Sequence, residues 1–98
     1  MNYRIVFHSE AKKEFDELDG SLKILVLKQL KKLISNPLLG EAIGNKAGIN
    51  LSGYRKTYVN NKKIRIVYKI FEEKVEVFVI AINKRDNMKV YEIADKRN

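Results

Sequence analysis

Tyr54-Arg55-Lys56-Thr57-Tyr58-Val59-Asn60-Asn61-Lys62-Lys63-Ile64-Arg65-Ile66-Val67-Tyr68-Lys69 is the stretch that decides the fold. β-Branched and aromatic residues alternate with charged ones on both sides of Asn60-Asn61-Lys62, the pattern of two strands joined by a tight turn. The spacing predicts strands over about 54–59 and 63–71. On the second, Ile64, Ile66, Tyr68 and Ile70 face one side of a sheet, and Arg65, Val67, Lys69 and Phe71 face the other. Glu72-Glu73 then turns the chain into a third strand, about 74–82. This strand is apolar on both faces, which places it inside the sheet.

Working outward, residues 3–7 (Tyr-Arg-Ile-Val-Phe) read as a short opening strand. Ser9 is placed to cap a helix from about Glu10 to Leu18, with Ala11, Phe15 and Leu18 on one stripe and Glu10 and Glu14 near its N-terminus. After Gly20-Ser21 a second helix runs to about Ser35. Leu22, Leu25, Val26, Gln29, Leu30, Leu33 and Ile34 lie along its inner face. Asn36-Pro37 ends it, because a residue before proline is pushed out of helical geometry. Residues 38–53, with Gly40, Gly44, Gly48 and Gly53, read as a loop. Asp86 or Asn87 is placed to cap a terminal helix reaching about Lys96. The order β-α-α-β-β-β-α describes an α+β domain, a helical hairpin packed on a mostly antiparallel four-stranded sheet.

Ninety-eight residues, 45% of them hydrophobic, suffice for one domain over 1–98 with one modest core. The chain has no cysteine and a single histidine, His8, which excludes disulfides, thiolate catalysis and a histidine pair for acid–base work. His8 precedes a helix and reads as a turn residue. No signal-peptide core or membrane-length apolar run is present, so a cytoplasmic protein with no membrane contact is expected. The net charge is +8, and residues 54–69 carry six cations and no carboxylate. A basic balance fits nucleic acid, an anionic membrane or an acidic protein equally. Its concentration on strands favours a specific anion-binding face.

These elements resemble the RelE/ParE superfamily of bacterial toxins, and more closely its RelE branch. The resemblance spans nearly the whole chain. It rests on the lysine-rich helix hairpin, Gly53-Tyr54-Arg55, the strand Ile64 to Tyr68, the segment Glu73 to Ile80, and Lys84-Arg85 followed by Tyr91. It implies the toxin of a type II toxin–antitoxin pair. RelE-type members cut mRNA in the ribosomal A site, whereas ParE-type members inhibit DNA gyrase on the same fold; an inactive homologue is the third possibility. It also implies an acidic, largely helical antitoxin segment wrapping the domain, contact with operator DNA only through that antitoxin, and no metal or cofactor.

Carried over by position, the family's catalytic set falls on Arg55 (for the first of two strand lysines), Arg65, Arg85 and Tyr91. The second lysine falls on Thr57, a departure. Lys56 next door carries charge, but strand alternation points it opposite to Arg55 and Thr57. Lys62, Lys63 and Lys84 are further candidates for RNA. Lys28, Lys31 and Lys32, on the outer face of the second helix, are candidates for ribosomal phosphates. Tyr54, Tyr58 and Tyr68 read as packing or surface aromatics.

Metal-free RNA cleavage proceeds by attack of a 2′-hydroxyl on the adjacent phosphorus. Arginine suits the phosphorane, being always charged and offering a planar fork of donors. Arg65 and Arg85 are therefore expected on the scissile phosphate and Arg55 near the departing 5′-oxygen. Tyr91 has two candidate roles: a base whose pKa is lowered by nearby cations, or a stacking platform for a nucleobase.

Overall fold

The paired strands anticipated around Asn60 form the centre of the structure, a computed structural model that describes residues 2–46, 48–84 and 94–97. In chain order the elements are β1 (Arg4–Phe7), α1 (Ser9–Asp16), α2 (Gly20–Ser35), a 3-10 turn (Pro37–Leu39), β2 (Glu41–Lys46), β3 (Ile49–Val59), β4 (Ile64–Phe71), a second 3-10 turn (Glu72–Lys74) and β5 (Glu76–Lys84). Residues 94–97 are helical. The five strands form one sheet in the order β1-β5-β4-β3-β2. β1 runs parallel to β5 and every other pair is antiparallel. The α+β class is as expected, and β5 lies between two neighbours as its apolar faces require.

The sheet has five strands rather than four because residues 41–46 pair with β3, where a loop over 38–53 was expected. Glycine suggested looseness there, but here it serves pairing geometry. Gly48 takes φ +81° at the turn and Gly53 takes φ +89° where the register slips. Ala42 pairs with Arg55 and Gly44 with Leu51, so Ser52, Gly53 and Tyr54 together stand opposite Ile43 alone. The slip brings Leu51 and Tyr54, three residues apart, into one buried cluster.

Small differences at the helix ends have local causes. His8, not Ser9, caps α1: its Nδ1 accepts from the Glu10 amide at 3.1 Å. Asp19 caps α2, accepting from the Leu22 amide at 3.0 Å and from Ser21 Oγ at 2.7 Å. Those hydrogen bonds hold its carboxyl below the usual carboxylate range.

Both helices pack on one face of the sheet, where Ala11, Val26, Leu30 and Leu33 meet Val59, Ile64, Ile66, Tyr68, Val77, Val79 and Ile82. The anticipated stripe of α2 holds for Val26, Leu30 and Leu33, while Leu25 is exposed. Tyr68 is a core residue. Its hydroxyl donates to Pro37 O at 2.7 Å and accepts from the Gly40 amide at 2.9 Å, tying β4 to the chain leaving α2. A Cβ at Gly40 would fall 2.7 Å from Lys56 O, so only glycine lets the backbone pass this close.

The opposite, far face carries a second apolar cluster of Ile43, Leu51, Tyr54, Val67, Ile80, Ala81 and Ala94. A bulge in β5 builds it: Val67 pairs with Ala81 and Tyr68 with Val79, leaving Ile80 as the extra residue. Ile80 and Ala81 consequently belong to one cluster although they are consecutive. Ala94 brings the helical residues 94–97 onto this face.

Candidate nucleic-acid interface

β3 divides its side chains between the two faces by simple alternation. Arg55 pairs with Tyr68 and Thr57 with Ile66, so both lie on the helix face. Lys56 pairs with Val67 and Tyr58 with Arg65, so all four lie on the far face. The expected company of Arg55 and Arg65 is therefore not found, and this part of the anticipated site needs correction. The Arg55 guanidinium instead donates to Gly40 O at 2.5 Å and Leu38 O at 3.4 Å, bracing the turn after α2. Thr57 is buried, its hydroxyl accepting from Gln29 Nε2 at 2.6 Å. The two positions carried over from the family's lysine pair thus both lie on the helix face.

The far face supplies the alternative. Lys56 and Tyr58 stand two residues apart on β3, and Arg65 lies across from Tyr58 on β4. Lys56 Nζ is 5.8 Å and Arg65 Cζ 5.6 Å from the Tyr58 ring centroid. Lys56 Nζ also lies 4.0 Å from Glu41 Oε2, its neighbour on β2. Arg65 is 4% exposed, so its charge sits in a medium poorer in water than the surface, where attraction for an anion is less screened. Burial alone would raise the Tyr58 phenol's pKa. Hydrogen bonding and charge from Lys56 and Arg65 outweigh it and hold the pKa below the ordinary phenol value. Further along the same face, Lys69 Nζ lies 5.3 Å from the Tyr54 ring centroid, continuing the pairing of cations with aromatics. Burial, and secondarily Asp95, push the Tyr54 pKa up.

The sequence reading missed Tyr58, although the signal was there. Once Val59 pairs with Ile64 across the turn, Tyr58 must face Arg65. The turn is one residue longer than expected. Asn60, Asn61 and Lys62 all take positive φ (56°, 54° and 66°), and the Lys63 amide donates back to Asn60 O at 3.0 Å. Asparagine tolerates this left-handed geometry better than most residues.

Lys62 and Lys63 stay exposed on that turn. With Lys84, Leu22, Asn60, Asn61 and Ile64 they line an open cavity of about 560 Å³ at the end of the sheet. Lys84 pairs with Ile64 and so belongs to the helix side of this end. Lys28, Lys31 and Lys32 are exposed on α2, across the sheet from Arg65. Arg85 and Tyr91 lie outside the described residues.

Glu14, another residue the sequence reading left without a site role, anchors the far end of the chain. β1 stops pairing at Phe7 opposite Val79, so β5 continues beyond it with no strand neighbour on that side among the described residues. There the Glu14 carboxylate accepts from the Ile82 amide at 3.1 Å, from Asn83 Nδ2 at 3.0 Å, and from both terminal nitrogens of Arg97 at 2.9 and 3.0 Å. Arg97 also donates to Ile80 O at 3.0 Å. A carboxylate and a guanidinium thus complete the sheet edge and fasten residues 94–97 beside the cluster.

Comparison with known proteins places this α+β domain with its basic hairpin in a family. The profile of the ParE toxin of the type II toxin–antitoxin system parDE matches residues 5–88. The chain belongs to this family, within the RelE/ParE superfamily of type II toxins. It is 32% identical over 103 residues to the mRNA interferase toxin RelE of Escherichia coli, with 99% of this chain and 98% of that protein covered. It is 30% identical over 100 residues to a RelE-like toxin protein of the same organism, at the same coverage. An arginine-substituted, free form of E. coli RelE superposes with a TM-score of 0.82 at 28% identity, covering 99% of this chain and 98% of that one. RelE in the intact E. coli RelBE toxin–antitoxin complex superposes with a TM-score of 0.70 at 26% identity, covering 86% and 98%. The protein is accordingly a RelE-like toxin of a type II toxin–antitoxin system.

Proposed function

We propose that this toxin is a ribosome-dependent endoribonuclease that cuts mRNA in the A site without a metal ion, by attack of a 2′-hydroxyl on the neighbouring phosphorus. The observation that carries this reading is the grouping of Lys56, Tyr58 and Arg65 on the far face of one β-hairpin. Arg65 binds the scissile phosphate and stabilises the charge that builds on it. Lys56 adds a second positive charge about one side chain away. The chain's own cations supply the electrostatic stabilisation that a metal provides elsewhere. Arg85 and Tyr91 follow β5 in the chain and remain the candidates for a second phosphate contact and for the base or stacking platform. Lys62, Lys63 and Lys84 extend positive charge around the end of the hairpin, where flanking RNA phosphates would pass.

Such a site has few groups that titrate near neutrality and depends on precise placement of the substrate, which the ribosome provides. The exposed lysines of α2 suit ribosomal RNA. The antitoxin partner is read as an acidic, helical segment. Ile24, Leu27, Leu38 and Leu39 are each about half exposed or more and offer it apolar contacts amid cationic charge. Operator DNA is then reached only through that partner, and the cell compartment is the cytoplasm.

Primer extension on mRNA carried by programmed ribosomes, beside naked mRNA, tests the reading. Cuts at A-site codons only in the presence of ribosomes are expected. A folded protein that leaves both RNAs intact refutes it. The match to the ParE profile supports gyrase inhibition as the second reading. Loss of DNA supercoiling by gyrase on adding the toxin would favour it.

A further inference from the structure

The cluster on the far face sets a phenol, Tyr58, against the arginine assigned above to the phosphate. Among the described residues Tyr58 is in neither apolar cluster, and its half-buried ring lies beside Lys56 and Arg65. Its position is set by the backbone. β-Pairing places it opposite Arg65, and the pleat places it beside Lys56. A phosphate held by Arg65 is therefore within side-chain reach of the Tyr58 hydroxyl.

We propose that Tyr58 is a catalytic residue of this toxin, the general acid that protonates the departing 5′-oxygen of the cleaved RNA; the inference rests on the nuclease reading above. In the step, the 2′-oxygen forms a bond to phosphorus and its proton passes to solvent water. The bond from phosphorus to the 5′-oxygen breaks, and that oxygen takes the proton of the Tyr58 hydroxyl. The products are a 2′,3′-cyclic phosphate and a free 5′-hydroxyl. The Tyr58 phenolate then recovers a proton from water.

Three features favour an acid over a base. An ordinary phenol keeps its proton at neutral pH, the form a general acid needs. Lys56 and Arg65 stabilise the phenolate that proton transfer creates, the condition for an effective acid. Arg55, the residue first expected near the 5′-oxygen, is committed to Gly40 O and Leu38 O on the other face. Lys56, beside Tyr58 on β3, adds charge that stabilises both the phosphate and the phenolate.

The test uses two messages on programmed ribosomes, one with the natural 5′-oxygen at the cut site and one with a bridging 5′-sulfur there. A thiolate leaves without protonation, so the sulfur substrate bypasses a missing acid. Tyr58→Phe keeps the ring that lies between Lys56 and Arg65, and thermal melting confirms its fold. It is expected to cut the oxygen substrate at least about 100-fold more slowly than the wild type, the lower bound for general acid catalysis. It is expected to cut the sulfur substrate within a few-fold of the wild-type rate. Wild-type speed on oxygen overturns the assignment, as does an equal loss on both substrates, which would mark a positioning role. If the wild-type toxin cuts neither message, the nuclease reading itself fails and this inference falls with it.

Discussion

Arg55 and Lys56 are consecutive, carry the same charge and lie on one strand, yet the fold uses them in opposite ways. Arg55 turns toward the helices and braces backbone carbonyls at the turn after α2. Lys56 turns away and joins Tyr58 and Arg65. The same division runs through the hairpin. The helix face holds Thr57, Ile64, Ile66 and Tyr68, each buried and several hydrogen-bonded across elements. The far face holds cations over aromatic rings. The face a charged residue on a strand takes thus follows its parity, which charge counts along the chain do not show.

The contrast can be broken at several points, and the largest effect is expected at Arg65. Arg65→Ala should lower ribosome-dependent cleavage about 100- to 1,000-fold per folded molecule, the range for loss of a preorganised anion donor. Timed primer extension measures it, and activity within a few-fold of wild type would remove Arg65 from the site. Next comes Gly40→Ala on the structural side, which forces a methyl against Lys56 O and the Tyr68 ring. Urea denaturation should show a loss of about 2–3 kcal/mol, as for other overpacked sites. An unchanged midpoint would mean the turn after α2 gives way freely.

Arg55→Ala sharpens the comparison. Removal of its hydrogen bonds should cost about 1–2 kcal/mol of stability. Cleavage by the folded fraction should stay within a few-fold of wild type, whereas Lys56→Ala should show the reverse. If Arg55→Ala abolishes cleavage at unchanged stability, the division of β3 by face is wrong. The smallest effect is expected for Thr57→Val, which keeps the shape and loses the bond from Gln29. A loss of about 1 kcal/mol in chemical denaturation, with cleavage unaltered, would show that Thr57 is no weakened catalytic position.

Much of the architecture was legible in the sequence because it rests on local periodicity. The alternation of Ile64, Ile66, Tyr68 and Ile70 with Arg65, Val67, Lys69 and Phe71 predicted which face of β4 meets the helices, and Val26, Leu30 and Leu33 marked the buried stripe of α2. β2 was hidden, because Gly44, Gly48 and Gly53 look like loop punctuation until pairing with β3 gives them a role. The candidate site was legible only in part. Arg65 stood out as an arginine on an apolar strand. Tyr58 looked like packing because its value depends on a residue seven positions away across a turn of unguessed length.

By itself, the sequence determined the class of the fold, the placement of the helix hairpin, the interior position of β5 and the concentration of positive charge on one hairpin. These follow from side-chain spacing and composition, which act within a few residues. Only the tertiary structure decided which cations share a face. That depends on the length of the Asn60 turn, the slip at Gly53 and the bulge at Ile80, each of which shifts alternation by whole residues. The anchoring of residues 94–97 by Glu14 is likewise a tertiary outcome, because the β5 edge it completes exists only where β1 stops short.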